Sequence, residues 1–199
     1  MTNDPKKCLT PKFRASFAHV FRPQPAQEEG KDPKYGITML FDKGEDLSKL
    51  KAAAKEALVE KWGADKTKWP KNIRLPFRDQ EEKDFDGYVP GAIFVNATSK
   101  QRPGLVDQHV NDIIDETEFY SGCYARASIR AFAYDTKGNK GVAFGLNNIQ
   151  KLADGEPLGG RTRPEDDFEP SGDDPFSGDE GDDLMGEASA GGDAADMLG

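Results

Sequence analysis

Residues 123–134, Cys-Tyr-Ala-Arg-Ala-Ser-Ile-Arg-Ala-Phe-Ala-Tyr, alternate in character without a break. Cys123, Ala125, Ala127, Ile129, Ala131 and Ala133 are small or apolar, whereas Tyr124, Arg126, Ser128, Arg130, Phe132 and Tyr134 are aromatic, basic or polar. Successive side chains of a strand point to opposite faces, so an extended strand sorts this run into two surfaces that a helix would mix. One face is core. The other is a ladder of rings and guanidinium groups, and a solvated face needs only polarity, so three large aromatics there call for a covering layer.

Single-stranded nucleic acid is one such cover. Bases stack on flat rings regardless of sequence, at about 1–3 kcal/mol per base, while arginine meets phosphate or stacks as a cation. The alternative is a strand buried on both faces, beneath a helix or a partner subunit, with Arg126 and Arg130 paired to acids. An acidic adaptor using the aromatic face as a protein interface is the competing function.

The same alternation marks other strands. In residues 11–21, Phe13, Ala15, Phe17, His19 and Phe21 point one way, and Lys12, Arg14, Ser16 and Ala18 the other. A second strand follows a Pro- and Gly-rich loop, over 35–41, and a third spans 92–99, where Phe94, Asn96, Thr98 and Lys100 share a face. Residues 122–134 and 141–150 read as a hairpin. Between the second and third strands the period changes: Leu47, Leu50, Ala54, Leu58 and Trp62 recur at helical spacing, with Asp46 as N-cap and Gly63 as stop. Val106, Val110, Ile113 and Ile114 suggest a second, short helix within 105–118. The long, Pro-broken stretch from Lys66 to Gly91 reads as a connection with candidate ligand contacts at Arg74, Phe77 and Arg78, although a packing role serves Phe77 equally.

Charge divides the chain. Overall it carries −9, but residues 154–199 hold 15 of the 36 acids and only 2 of the 27 bases, leaving a mildly basic body of 21 acids and 25 bases. The split predicts one domain over 1–153 and an appendage over 154–199. The appendage has ten Gly and four Pro in 46 residues, too few apolar groups to form a core, and is expected to be disordered. Its acids enclose isolated apolar residues: Asp166, Asp167 and Phe168; Asp173, Asp174 and Phe176; Asp182 and Asp183 before Leu184. Such a tail is either a solubiliser or an imitation of a nucleic-acid strand that competes for the body's groove and offers its apolar residues to partners.

Other classes fit poorly. The chain has no phosphate-loop, dinucleotide, nucleophile-elbow or zincin motif, and two Cys and two His build neither a disulfide framework nor a zinc site. No cofactor is called for. A nuclease metal on Glu81, Asp84 and Asp86 is a weak third reading, since carboxylate clusters arise by chance in so acidic a chain. The apolar runs are too short to span a bilayer and the N-terminus lacks a signal-peptide core, which places the expected location in the cytoplasm.

Three stretches carry a family resemblance: LPFRDQ (75–80), FVNATSKQRPGLVD (94–107) and FYSGCYARASIRAFAYDTKGNKGVAFGLNNIQKLADGEPLGGR (119–161). With them the chain resembles the single-stranded DNA-binding proteins of tailed bacteriophages, over most of residues 9–169, and EDDFE (165–169) is similar to that family's junction with its tail. The resemblance implies a mainly β fold, a five-stranded OB-fold-like barrel, here with one long and one short inserted helix and a disordered acidic C-terminal tail. It also implies a non-enzymatic protein of replication and recombination in an infected bacterial cell. Its implied partners are single-stranded DNA bound without sequence preference and, through the tail, replication or recombination proteins; a homodimer is a further candidate. One departure is the end of the chain, Met197-Leu198-Gly199, where many such proteins close on an aromatic residue. The strand faces, not the resemblance, give the candidate DNA-binding residues: Lys12, Arg14, Arg78, Phe94, Lys100, Arg102, Tyr124, Arg126, Arg130, Phe132 and Tyr134.

Overall fold

The computed structural model describes residues 4–26, 32–136 and 138–159. Nine strands and one α-helix follow in the order β1 (Lys7–Leu9), β2 (Phe13–Gln24), β3 (Lys34–Leu40), α1 (Ser48–Trp62), β4 (Ile73–Arg74), β5 (Arg78–Asp79), β6 (Ile93–Ser99), β7 (Gly104–Val106), β8 (Tyr124–Thr136) and β9 (Asn139–Ala153). Five of these close a ring: β2 pairs with β3, β3 with β6, β6 with β9, β9 with β8, and β8 again with β2. The β6–β9 pair is parallel and the other four are antiparallel. A mainly β barrel of five strands, as expected of an OB-fold, is the result.

The alternation of β8 is realised as read. Cys123, Ala125, Ala127, Ile129 and Ala131 are wholly buried, packed with Phe13, Val95, Phe144 and Ile149. Burial also pushes the Cys123 thiol up to about 11. The predicted helix is present and ends at Gly63, with φ of 85°, but its N-cap is Leu47, which has no side-chain cap bond, and not Asp46; Asp46 stands one residue earlier, where its Oδ1 accepts from Ser48 N at 2.9 Å. Leu50, Ala53, Ala54, Ala57 and Leu58 form its buried face, and the three alanines allow a close approach to β8 and β1.

Two further expectations are corrected. Residues 105–118 form no helix but β7 and a series of turns. Asp107 Oδ1 accepts from His109 N and Asn111 N, Asp115 Oδ1 accepts from Thr117 N, and Val110 has a φ of 68°. These short side chains satisfy the backbone locally and displace the helix. Only Ile113 of the presumed apolar stripe is buried together with Leu105; Val110 and Ile114 are 70% and 80% exposed. The second correction concerns β2, whose alternation does not run unbroken. Its pairing with β3 shifts register between Ser16 and His19, Ser16 is buried, and Phe17, at φ of 45°, turns outward.

Residues 154–159 run back along the barrel: Arg14 Nη2 donates to Glu156 O at 2.7 Å and Leu158 N to Ser121 O at 2.8 Å. The tail residues singled out by sequence, Asp166, Asp167, Phe168, Asp173, Asp174, Phe176, Asp182 and Asp183, lie outside the described residues. No helix among the described residues is long and apolar enough to cross a membrane.

Candidate nucleic-acid interface

The outer surface of β3 and β6 is the floor of a cleft of about 500 Å³. In ring order these are the second and third strands, the face that OB-folds offer to oligonucleotides. Thr38 and Asn96 stand opposite each other, with the Thr38 hydroxyl donating to Asn96 Oδ1 at 2.7 Å. Gly36 lines the floor beside them, where an added Cβ would lie in ordinary contact, 3.4 Å from Ala97 O and Thr98 Cγ2.

One wall is the loop between β5 and β6, pinned at its base by a single buried amide. Gln80, 2% exposed, donates from Nε2 to Phe41 O and Ile93 O at 2.9 Å each and accepts from Val89 N at 2.9 Å. Its backbone N–H donates to Ala92 O at 2.8 Å, and Asp79 Oδ1 accepts from Glu81 N and Gly91 N. Every polar atom of that side chain has a partner, so the two ends of the loop are fixed and its apex presents Lys83, Phe85 and Tyr88 to the cleft.

The other wall is β2, where the bulge puts Phe17 against Phe85. From there a row of rings meets edge to face: Phe17 and Phe85 at 5.3 Å between centroids, Phe85 and Tyr88 at 5.6 Å, Tyr88 and Phe94 at 6.0 Å. Phe17 and Phe85 are each 48% exposed while Phe94 is 2% exposed, so the outer rings are open to a stacking ligand and the inner one is fixed. Cations attend the row: the Arg78 guanidinium lies 5.2 Å from the Phe94 centroid and the Lys83 ammonium 5.9 Å from that of Phe85. Glu82 accepts from Arg78 Nε at 2.9 Å. Partial burial pushes the Tyr88 phenol up, which keeps it neutral, and its hydroxyl lies 3.3 Å from Ser16 Oγ. Flat rings, a polar floor and two cations can hold stacked bases and their phosphates.

The residues expected from sequence fall in several places. Arg78 and Phe94 line this cleft. Arg14 and Tyr124 share a smaller hollow, with the Lys12 ammonium 5.3 Å over the Tyr124 ring. Lys100 is paired with Asp32 at 2.7 Å, and the Arg102 guanidinium lies 5.4 Å from the Phe21 ring centroid. On the outer face of β8, Arg126 Nε donates to Gln150 Oε1 at 2.8 Å and Arg130 Nε to Asp4 Oδ2 at 2.6 Å, which holds the Asp4 carboxyl below its usual range. Phe132 is 43% exposed there, and Tyr134 is half-buried with its hydroxyl against Gly141. Arg74 is exposed in β4, whereas Phe77 packs on Phe144 at 6.1 Å, a packing role.

Sequence reasoning missed Phe17, Lys83, Phe85 and Tyr88. The density of aromatics and charges in a connection unusually long for a compact domain was the available signal. Among the described residues no three His, Cys, Asp or Glu side chains converge as a metal site, so Glu81, Asp84 and Asp86 do not form one.

Residues 6–184 match the protein family described as Enterobacter phage Enc34, ssDNA-binding protein. A protein p50 of Acyrthosiphon pisum secondary endosymbiont phage 1 is 31% identical over 156 residues, covering 74% of this chain and 83% of the relative. Among solved structures, the single-stranded DNA-binding protein from bacteriophage Enc34 in complex with ssDNA superposes with a TM-score of 0.62 at 24% identity, over 77% of this chain and 90% of that one. The single-stranded DNA-binding protein gp2.5 of bacteriophage T7 does so with a TM-score of 0.56 at 14% identity, over 76% of this chain and 93% of that one. At these identities the two structures show a shared fold. The match over 6–184 reaches beyond the barrel and takes in the acidic Phe-containing segments, and with it the chain belongs to the Enc34-type family of phage single-stranded DNA-binding proteins.

Proposed function

We propose that this chain binds single-stranded DNA without sequence preference, in the cleft between the β3–β6 floor and the 80–91 loop, and coats exposed strands during phage replication or recombination. The row Phe17, Phe85, Tyr88 and Phe94, with Arg78 and Lys83 beside it, carries this reading. Stacking on rings discriminates no base, and the cations meet backbone phosphates. Lys12, Arg14, Lys100, Arg102, Tyr124, Arg126, Arg130, Phe132 and Tyr134 form a second set of proposed contacts, along the flanks of the barrel and the outer face of β8. The acidic tail competes with DNA for the cleft through its distal acids, Asp173, Asp174, Asp182 and Asp183, and offers Phe168 and Phe176 among their acids to protein partners, replication or recombination proteins among them.

Fluorescence anisotropy of the full chain on labelled oligo-dT, against duplex of equal length and across a salt series, tests the cleft. Phe85→Ala with Tyr88→Ala is expected to weaken binding about tenfold or more with an unchanged salt slope, because stacking releases no counterions. Arg78→Ala with Lys83→Ala is expected to flatten the slope by about 1 to 1.5. If these four substitutions leave binding intact while Tyr124→Ala with Phe132→Ala and Tyr134→Ala abolishes it, the DNA path lies on β8 and not in the cleft.

A further inference from the structure

A second hollow, of about 460 Å³, lies between α1 and the segment from Lys66 to Phe77. Leu47, Ala54 and Leu58 of the helix side line it together with Trp69, Leu75 and Phe77, and Ile93 closes it from β6. The Trp69 indole is oriented by Nε1 donating to Gly63 O at 2.8 Å, and Leu75 is 55% exposed. Lys51, Lys55 and Lys66 line the same hollow, and among the described residues none of the three is in an ion pair. It shares no lining residue with the cleft. Ile93 and Phe94 are neighbours in β6 and point to opposite faces, so a strand in the cleft leaves this hollow open.

An apolar hollow edged by three ammonium groups that make no ion pair among the described residues fits a short acidic peptide with one large apolar anchor. The chain itself supplies that chemistry. Beyond Gly159 it continues for forty residues, and Glu165-Asp166-Asp167-Phe168-Glu169 sets one phenylalanine among four carboxylates. We propose that the hollow on the α1 side receives Phe168 and the flanking carboxylates of Glu165–Glu169 from a second copy of this chain. The ring enters the Trp69, Leu75 and Phe77 surface while the acids meet Lys51, Lys55 and Lys66. Copies seated side by side on one strand would be joined by this contact at high effective concentration. Only that consequence rests on the DNA-binding reading; the docking contact does not.

The test places the photocrosslinker p-benzoylphenylalanine at position 168 of the full chain, mixes natural-abundance and nitrogen-15 copies, irradiates, and maps the products by mass spectrometry. The expected products join light to heavy copies at residues of the 66–77 segment or α1, and they persist with saturating oligo-dT. Leu75→Glu, and separately Lys51→Glu with Lys55→Glu, all at exposed positions, are expected to lower the yield at least about fivefold while oligo-dT affinity stays within about twofold. Products confined to Phe85–Phe94 and lost with oligo-dT, products only within one copy, no product, or a yield indifferent to the variants would each overturn the proposal. Crosslinks as expected from a protein that does not bind oligo-dT would sink the DNA-binding reading and leave the docking contact standing.

Discussion

Gln80 holds the candidate site together through three hydrogen bonds of one buried side chain, which donates to Phe41 O and Ile93 O and accepts from Val89 N. Gln80→Ala strands those three backbone groups and is expected to lower stability by about 2–4 kcal/mol in urea unfolding, with weaker oligo-dT binding as the loop apex loosens. Cys123 gives a pH effect with a definite sign. Its folded thiol is pushed up to about 11 from an ordinary 9.0, so the neutral form is favoured in the fold; the contribution is complete below pH 9 and lost as pH rises to about 11. Thiol labelling at pH 8 is therefore expected to modify half-buried Cys8 first and Cys123 only on unfolding. Phe17 separates stability from binding. A non-glycine residue at φ of 45° costs about 1–2 kcal/mol, so Phe17→Gly should leave the thermal midpoint equal or higher while it weakens oligo-dT binding. A fall in both would show that Phe17 is a packing residue.

Among the elements, the β8–β9 hairpin meets the returning 154–159 segment through two glycines. A Cβ on Gly122, at φ of 125°, would lie 2.2 Å from Glu156 O, and one on Gly155 would lie 2.2 Å from Gly122 O. Gly122→Ala is expected to lower Tm by about 6–12 °C in calorimetry, the equivalent of about 3 kcal/mol. Elements whose cause is local were readable from sequence: the two faces of β8, the stripe of α1 with Gly63 as its stop, and the third strand with Phe94, Asn96 and Thr98 together. Elements decided by remote partners were not. Nothing within residues 80–91 announces that Gln80 reaches Phe41, and without that bond Phe85 and Tyr88 are two aromatics in a polar loop. The bulge at Phe17 follows from which neighbours bury Ser16 and Val20, and the missing helix at 105–118 from aspartates that serve nearby N–H groups better than a helix would. The site was thus half legible, its floor and Arg78 in view and its walls hidden.

At the scale of the whole molecule, charge and closure set the behaviour. Residues 160–199 hold 13 acids and 2 bases, so a chain ending at Gly159 has a net charge of +2 in place of −9. That truncation is expected to tighten oligo-dT binding, with the largest gain at low salt; equal affinities across the salt series would remove the tail as a competitor. The ring, for its part, is sewn unevenly. β8 and β9 pair along their whole length, whereas β2 meets β8 at Phe13–Ala125 and Arg14–Tyr124, with Ala15 carrying the seam on to Cys123 O and Gly122 N, and β6 meets β9 at Ala97–Phe144 and Thr98–Gly145. Those two narrow seams join segments distant in sequence, so their loop-closure entropy must be met before any contact rewards it. The hairpin should therefore zip first and the seams last, and a newly synthesised chain would pass through an open, unsealed sheet before it can present a finished cleft.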